Sequence, residues 1–435
     1  MDLSTLYTLF LSAKGITTDS RRVGSQSLYF ALKGDRFDGN DFAQEALDQG
    51  ALASVVDRLS LKDKDPRFIY VDDVLQTLQN LAHHHRNQCK ATVIALTGSN
   101  GKTTTKELFK AVLSKAFSCQ ATEGNLNNHI GVPLTLLSLN PTTEFAIVEM
   151  GANHQGEIET LCKIAAPDWG YITNFGKAHL EGFGGLEGVV KGKTELYRYL
   201  MQNQGKILVH GDDLKQEEAV ANYPVVRFGT QNNFDYPLHY LPQTSDGLCL
   251  TFKEKTICSS LYGRYNLPNI AAAVALGAHF GVSIEQIATA IGEYQSHNNR
   301  SQLWQKGNYH FVLDAYNANP TSMRAALESF AQKEAVHKGL ILGDMLELGP
   351  TAKAEHQAIL DYALQLDVEA IYLVGAIWSS LIIKHPKVQQ FESSAVLCET
   401  FQKELPKTTT LLLKGSRSIA LEQVLVAFEK PKATP

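Results

Sequence analysis

The sequence lacks any apolar run approaching the ~20 residues that a bilayer-spanning helix requires. Its start, from Met1 to Gly15, lacks a basic n-region and a small-residue cleavage site, so no secretory signal is expected. It also lacks an excess of positive charge: 40 Lys and Arg stand against 45 Asp and Glu, a formal net charge of −5. A general nucleic-acid surface would need a basic stripe. The cations are scattered instead, so neither nucleic acid nor membrane is expected as a partner, and acidic substrates must be met by local sites. Cysteine is scarce. The six thiols (Cys89, Cys119, Cys162, Cys249, Cys258 and Cys398) never form a CxxC pair. Packed, reduced cysteines without disulfide or zinc are expected, which fits a cytoplasmic protein. Internal repeats are absent, and only the tail from Lys430 to Pro435 reads as disordered.

At 435 residues the chain is too long for one ordinary core. Three regions separate, giving an α/β fold of three domains. Residues 1–84 mix short apolar runs such as Ser27-Leu-Tyr-Phe-Ala-Leu with turn clusters, the pattern of a small α/β module. His83, His84 and His85 close it and read as a solvated helix end rather than a metal site, because adjacent helical residues point in different directions. Residues 85–296 open on the β-branched run Ala91-Thr-Val-Ile-Ala-Leu, followed by a glycine loop and apolar residues at helical spacing from Leu108 to Phe117. Further strands at Glu144-Phe-Ala-Ile-Val-Glu, Gly170-Tyr-Ile-Thr and Lys206-Ile-Leu-Val-His alternate with helical stretches, which predicts a mostly parallel sheet. Residues 297–435 repeat the alternation, with strands at Phe311-Val-Leu, Gly339-Leu-Ile-Leu, Ala370-Ile-Tyr-Leu-Val and Thr410-Leu-Leu-Leu. That is a second doubly wound, Rossmann-like domain. Within it, Asn319 caps a helix that starts at Pro320.

Thr97-Gly-Ser-Asn-Gly-Lys-Thr-Thr carries the strongest chemical signal. Gly98 and Gly101 let the backbone curl so that the amides of Ser99, Asn100 and their neighbours face an anion at a helix N-terminus. Lys102 would reach the β/γ-phosphates, and the hydroxyl of Thr103, followed by Thr104, would meet Mg²⁺. Leu96 stands where the full GxxxxGK pattern wants its first glycine. A buried strand before the loop and an amphipathic helix after it support nucleotide binding all the same. Glu149 ends a strand at the sheet's C-terminal edge, the place of a metal-binding carboxylate. His179, in Gly176-Lys-Ala-His-Leu-Glu-Gly-Phe-Gly-Gly, taken alone reads as a loop histidine.

Taken together, several segments resemble the Mur ligases. They are TGSNGKTTTKE, Glu123-Gly-Asn-Leu-Asn-Asn-His-Ile-Gly-Val-Pro-Leu-Thr-Leu-Leu, Val148-Glu-Met-Gly-Ala, Ala178-His-Leu-Glu-Gly-Phe-Gly, and Gly263-Arg-Tyr-Asn-Leu-Pro-Asn-Ile-Ala-Ala-Ala. Asp314-Ala-Tyr-Asn-Ala-Asn-Pro and Leu342-Gly-Asp-Met-Leu-Glu-Leu-Gly add to these, and point to the branch that uses D-alanyl-D-alanine. The likeness spans essentially the whole chain and is weakest in the N-terminal region, at Thr18-Asp-Ser-Arg and Phe30-Ala-Leu-Lys-Gly. It implies an N-terminal domain for the UDP end of a substrate, a central P-loop ATPase domain and a C-terminal Rossmann-like domain. The implied reaction activates a UDP-N-acetylmuramoyl-tripeptide as an acyl phosphate and joins it to D-alanyl-D-alanine, spending ATP with Mg²⁺. No partner chain is needed, so a monomer is expected.

The resemblance also assigns residues. Lys102 and Thr103 take the phosphates and the first Mg²⁺, with Glu149 and His179 as metal ligands. Lys193, four residues before Tyr197, matches a carbamylated lysine that would serve as an anionic metal ligand; the alternative is a solvated helix lysine. Asn269, with Asn266 beside it, would meet adenine or only pack a helix. Arg300 matches an arginine that closes onto the phosphates, and Asp314 a carboxylate for the ribose hydroxyls. Ser20, Arg21, Asn127 and Asn128 would meet the UDP substrate. Lys414-Gly-Ser-Arg is open between the incoming dipeptide and a cap on the sheet. Two positions depart from the family's pattern: His129 replaces an acid and Thr194 a glycine. Closure of the C-terminal domain is expected about a hinge at Tyr294-Gln-Ser-His-Asn-Asn. The Tyr316-Asn-Ala-Asn-Pro segment and the GDMLELG segment argue against the tripeptide-forming Mur ligases and folylpolyglutamate synthases. A nucleotide-gated binding protein would have no use for Arg300 and Asp314 on a second domain.

Overall fold

Thr92–Thr97 is apolar on both faces and buried on both, as a central parallel strand must be. In a computed structural model, which describes residues 2–242, 247–296 and 299–429, it is an interior strand of a seven-stranded sheet. Its neighbours are Phe145–Glu149 and Trp169–Ile172, and every pairing in the sheet is parallel. The register sets Leu96 beside Glu149 and Thr97 beside Ile172. Three strands therefore end at one edge of the sheet, the place where α/β proteins bind ligands.

A second parallel sheet of four strands, Ile16–Thr17, Leu28–Phe30, Ala53–Val56 and Phe68–Tyr70, forms the N-terminal part. The C-terminal part is a six-stranded sheet in which Gln302–Lys306 pairs antiparallel at one edge and the other pairings are parallel. Its helix Pro320–Ala331 begins as expected: the Asn319 side chain accepts from Ser322 N, and Pro320 occupies the first turn.

Several expectations are corrected. The helix after the glycine loop ends at Leu113, so Ala116 and Phe117 fall in the turn beyond it. Of the three histidines, His83 and His84 stay partly exposed near the helix end, but His85 is not solvated. Val74–Gln88 packs against Leu3–Ser12 on one side and against Gly131–Leu137 and Glu157–Ala165 on the other. His85 is thereby buried: its Nδ1 meets Tyr7 Oη at 3.1 Å and its Nε2 meets Leu139 O at 3.0 Å. Burial lowers its pKa, since the charged imidazolium would lose its water.

The cysteines are corrected too. His239–Tyr240, Leu248–Phe252 and Lys255–Ser259 form a three-stranded antiparallel sheet that the sequence did not announce. Its register sets Cys249 opposite Cys258, with Cα atoms 4.1 Å apart, and the two sulfurs form a disulfide. Sequence spacing hid the pair because a hairpin register, not a CxxC turn, brings it together. The expected disordered tail Lys430 to Pro435 lies outside the described residues, as do His297 and Asn298 of the expected hinge.

Candidate active site

The glycine loop is shaped by its own backbone and by the strand next to it. Gly98 and Gly101 have φ of +142° and +81°, which side chains disfavour. Gly101 is also the N-cap of helix Lys102–Leu113. The following loop braces it from behind. Thr173 Oγ1 donates to Asn100 O at 2.6 Å, Asn100 N donates to Asn174 Oδ1 at 3.0 Å, and Ser99 N donates to Asn174 O at 3.0 Å. Lys102 Nζ folds back to donate to Gly98 O at 2.8 Å, into the space the loop encloses. Burial lowers the Lys102 pKa, with Glu149 opposing that shift and Arg300 adding to it.

Beside the loop, Glu149 is 2% exposed. Its Oε1 accepts from Asn127 Nδ2 at 2.8 Å, but Oε2 has no hydrogen-bond partner. Lys106 Nζ lies 4.0 Å from Oε2, near enough for charge and too far for a hydrogen bond. A buried carboxylate oxygen left unpaired is costly, and a cation on the cavity side would satisfy it.

All of this faces one cavity of about 760 Å³. Loop residues Ser99 to Thr104 line it together with Glu149, Asn127, Asn128 and His179 from the central part, and with Arg300 and Asp314 from the C-terminal part. Asn269 and Asn266 line it as well, joined by a bond from Asn269 Nδ2 to Asn266 Oδ1 at 2.9 Å. The Arg300 guanidinium lies over the Tyr316 ring, 3.6 Å from its centroid. Asn128 has a local task besides, since its Oδ1 accepts from Gly131 N at 2.9 Å at the start of the next helix. His129 also lines the cavity.

Some expected site residues lie outside the cavity lining. Ser20 and Arg21 sit in a short 3₁₀ turn away from the cavity lining, and Arg21 pairs with Asp19 at 2.8 Å. Lys193 is 1% exposed and is not part of the lining. Its Nζ donates to Ala152 O at 3.2 Å, and Ala152 does line the cavity, so the amine lies just behind the wall. Burial, and next the charge of Lys102, hold its pKa well below the usual lysine value. Among the described residues no three His, Cys, Asp or Glu side chains converge on a metal position.

One residue became informative only in three dimensions. Lys414, left open above, is a parallel-register neighbour of Asp314, and its Nζ donates to Asp314 Oδ2 at 2.6 Å. No local pattern predicts that pairing, because 100 residues separate the partners.

Comparison with known proteins finds likeness along nearly the whole chain. Residues 12–86 match the catalytic domain of the Mur ligase family, residues 96–277 the Mur ligase middle domain and residues 299–417 the Mur ligase glutamate ligase domain. The UDP-N-acetylmuramoyl-tripeptide--D-alanyl-D-alanine ligase of Bacillus subtilis is 34% identical over 94% of this chain and 92% of its own length. The chain belongs to the Mur ligase family. The Escherichia coli ligase of the same name is also 34% identical, over 97% of this chain and 94% of its own. Among solved structures, MurF from Acinetobacter baumannii superposes with a TM-score of 0.86 at 32% identity, covering 98% of both chains. MurF ligase from Thermotoga maritima in complex with ADP superposes with a TM-score of 0.84 at 28% identity, over 97% of this chain and 98% of that one. The three-domain α/β architecture of this Mur ligase is theirs.

Proposed function

We infer that this Mur ligase joins D-alanyl-D-alanine to a UDP-N-acetylmuramoyl-tripeptide, producing the peptidoglycan precursor, ADP and phosphate. One observation carries the reading. A phosphate loop on one sheet shares a cavity with Arg300 and Asp314 from another, in a chain 34% identical, nearly end to end, to ligases of that name.

A carboxylate is a poor acyl donor at neutral pH. Transfer of the terminal phosphoryl group of ATP onto it forms a C–O–P linkage with a good leaving group. The dipeptide amine then attacks the carbonyl carbon and loses a proton, and the C–O bond to phosphate breaks. Charge on the tetrahedral adduct and on the phosphoryl oxygens needs cations near by, the role assigned to Lys102 and Arg300. Asn269 faces the base, Asp314 the ribose, and Asn127 and Asn128 the sugar end of the UDP substrate. Ser20 and Arg21, outside the cavity, are assigned to the more distant UDP end.

The donors suit magnesium, a hard cation that prefers oxygen and would neutralise phosphate charge when bound. Thr103 and the unpaired oxygen of Glu149 would hold it, with His179 as a further ligand. Lys193 would join this set as a carbamate. Its neutral amine is favoured by burial, and reaction with CO₂ forms an N–C bond and releases a proton, leaving an anionic oxygen donor. The reading places the chain in the cytoplasm as a monomer, and among the described residues no helix is long and apolar enough to cross a membrane.

Phosphate release by the purified protein tests the reaction. It should require ATP, a UDP-muramoyl-tripeptide and D-alanyl-D-alanine together, and parallel assays with diaminopimelate- and lysine-containing tripeptides identify the third residue. Release indifferent to the dipeptide would overturn the assignment.

A further inference from the structure

His179 is held from outside its own domain. Its Nδ1 lies 2.5 Å from Glu347 Oε2, and Glu347 belongs to the loop after strand Lys338–Gly343 of the C-terminal sheet. The approach is off-axis, a close contact rather than an aligned hydrogen bond, and Nδ1 has no hydrogen-bond partner among the described residues. Both residues have left-handed backbones, with φ of 51° at His179 and 61° at Glu347. Non-glycine residues adopt that region only where their surroundings require it.

The surroundings of Glu347 are rigid. Asp344 is 2% exposed and accepts from the amides of Ile377 at 2.9 Å and Trp378 at 3.0 Å. Met345 N donates to His356 Nε2 at 3.0 Å, Leu346 N donates to Ser416 Oγ at 3.0 Å, and Leu348 is buried. The loop so anchored leaves Glu347 half exposed and reaching toward the central part. On the other side, Gly349 sits against Glu181, where a Cβ would come within 3.2 Å of its Cβ. Lys177, two residues before His179, donates to Glu355 at 2.7 Å, and its own amide donates to Thr321 Oγ1 at 2.9 Å.

We propose that Glu347 is a positioning residue for His179, one the C-terminal domain delivers only when it lies against the central domain. A carboxylate on one ring nitrogen orients an imidazole and leaves the other nitrogen for a metal. Here that carboxylate comes from a different domain, so closure and a well-ordered His179 are a single event. The inference rests on the reading of His179 as a metal ligand, and the experiment separates the two.

Manganese(II) binding to the ADP-loaded full chain, followed by electron paramagnetic resonance, is compared for wild type, Glu347→Ala, Glu347→Gln, His179→Ala and the Glu347→Ala/His179→Ala double variant. Circular dichroism checks that each is folded, which substitution at a half-exposed loop position should preserve. The expected result is a loss of metal affinity of about 10- to 100-fold in each alanine variant, with partial recovery in Glu347→Gln. The double variant should bind no worse than the weaker single, because Glu347 acts through His179. Glu347→Ala within twofold of wild type, with His179→Ala impaired, overturns the proposal and leaves the ligand reading standing. Unchanged binding in His179→Ala overturns both. Losses that multiply in the double variant show that Glu347 acts independently, and also overturn it.

Discussion

Asn319 Nδ2 donates to Asn100 Oδ1 at 2.7 Å, tying a helix cap of the C-terminal sheet directly to the phosphate loop of the central one. The same side chain caps its own helix through Oδ1, which accepts from Ser322 N at 2.9 Å. One asparagine thus uses its acceptor for local structure and its donor for the contact between domains.

Asn319→Asp separates these uses. Aspartate caps a helix as well as asparagine does, so thermal stability should stay near wild type, while the donor to Asn100 is lost and a negative charge faces the phosphates. We expect kcat/KM for ATP to fall about tenfold, the worth of one interaction of ~1.4 kcal/mol. Small-angle scattering should show wild type more compact with an ATP analogue and the UDP substrate together, and Asn319→Asp less so. Equal radii of gyration for apo and doubly liganded wild type would contradict closure.

Lys102→Ala should fold normally and lose turnover. Its ammonium lies 2.8 Å from Gly98 O, inside the space a phosphate would enter. Loss of a cation that stabilises developing charge costs ~3 kcal/mol or more, at least a hundredfold in rate. Phosphate release at saturating substrates measures it, and a near wild-type rate would remove Lys102 from the mechanism.

Gly98→Ala should fail for a steric reason. A Cβ there would lie 2.0 Å from Thr173 Oγ1, on a backbone with φ of +142°. Overpacking of this kind costs ~1–3 kcal/mol, and relieving it must push the loop off the neighbouring strand. Weakened ADP binding by calorimetry, with a lowered melting temperature, is the expected outcome. Gly24→Ala, where no atom lies within 4 Å of the added Cβ, is the control and should be silent.

Lys193 should leave a signature in the pH dependence of stability. Its folded-state pKa is lowered by burial, so between that value and the unfolded one the unfolded chain binds more protons. Stability therefore rises with pH across that window, and burying the amine is unfavourable below it. In CO₂-free buffer, Lys193→Met escapes this term. The melting temperature of the variant minus that of wild type should shrink as pH rises toward the usual lysine value. A difference independent of pH would mean that Lys193 is not a buried, protonatable amine in the folded chain.

Lys193→Ala addresses its chemistry. It should be nearly inactive and partly rescued by short carboxylic acids, while Lys191→Ala should be mild. Activity that depends on added bicarbonate supports the carbamate, and full activity of Lys193→Ala in CO₂-depleted buffer would defeat it.

The sequence by itself determined what short-range physics controls. The Thr97 to Thr104 loop, the buried strands on either side of it and the helix start at Asn319-Pro320 are legible because glycine freedom, capping and side-chain periodicity act within a few residues. The resemblance to the Mur ligases was legible for the same reason, since it rests on contiguous segments. Tertiary structure decided what depends on register and packing between distant segments. Strand register alone pairs Lys414 with Asp314 and Cys249 with Cys258. Helix packing on both sides, not residue type, buries His85 in a run that reads as polar. Lys193 looks no different from Lys191 in composition, yet one helix face sends it behind the cavity wall and leaves Lys191 exposed. Ser20 and Arg21 belong to a matching segment but stand outside the cavity lining, and Glu347 meets His179 only because two sheets come together. Contacts like these have no sequence period; they span from nine residues, for Cys249 and Cys258, to a hundred, for Asp314 and Lys414, and exist only once strands have paired and helices have packed.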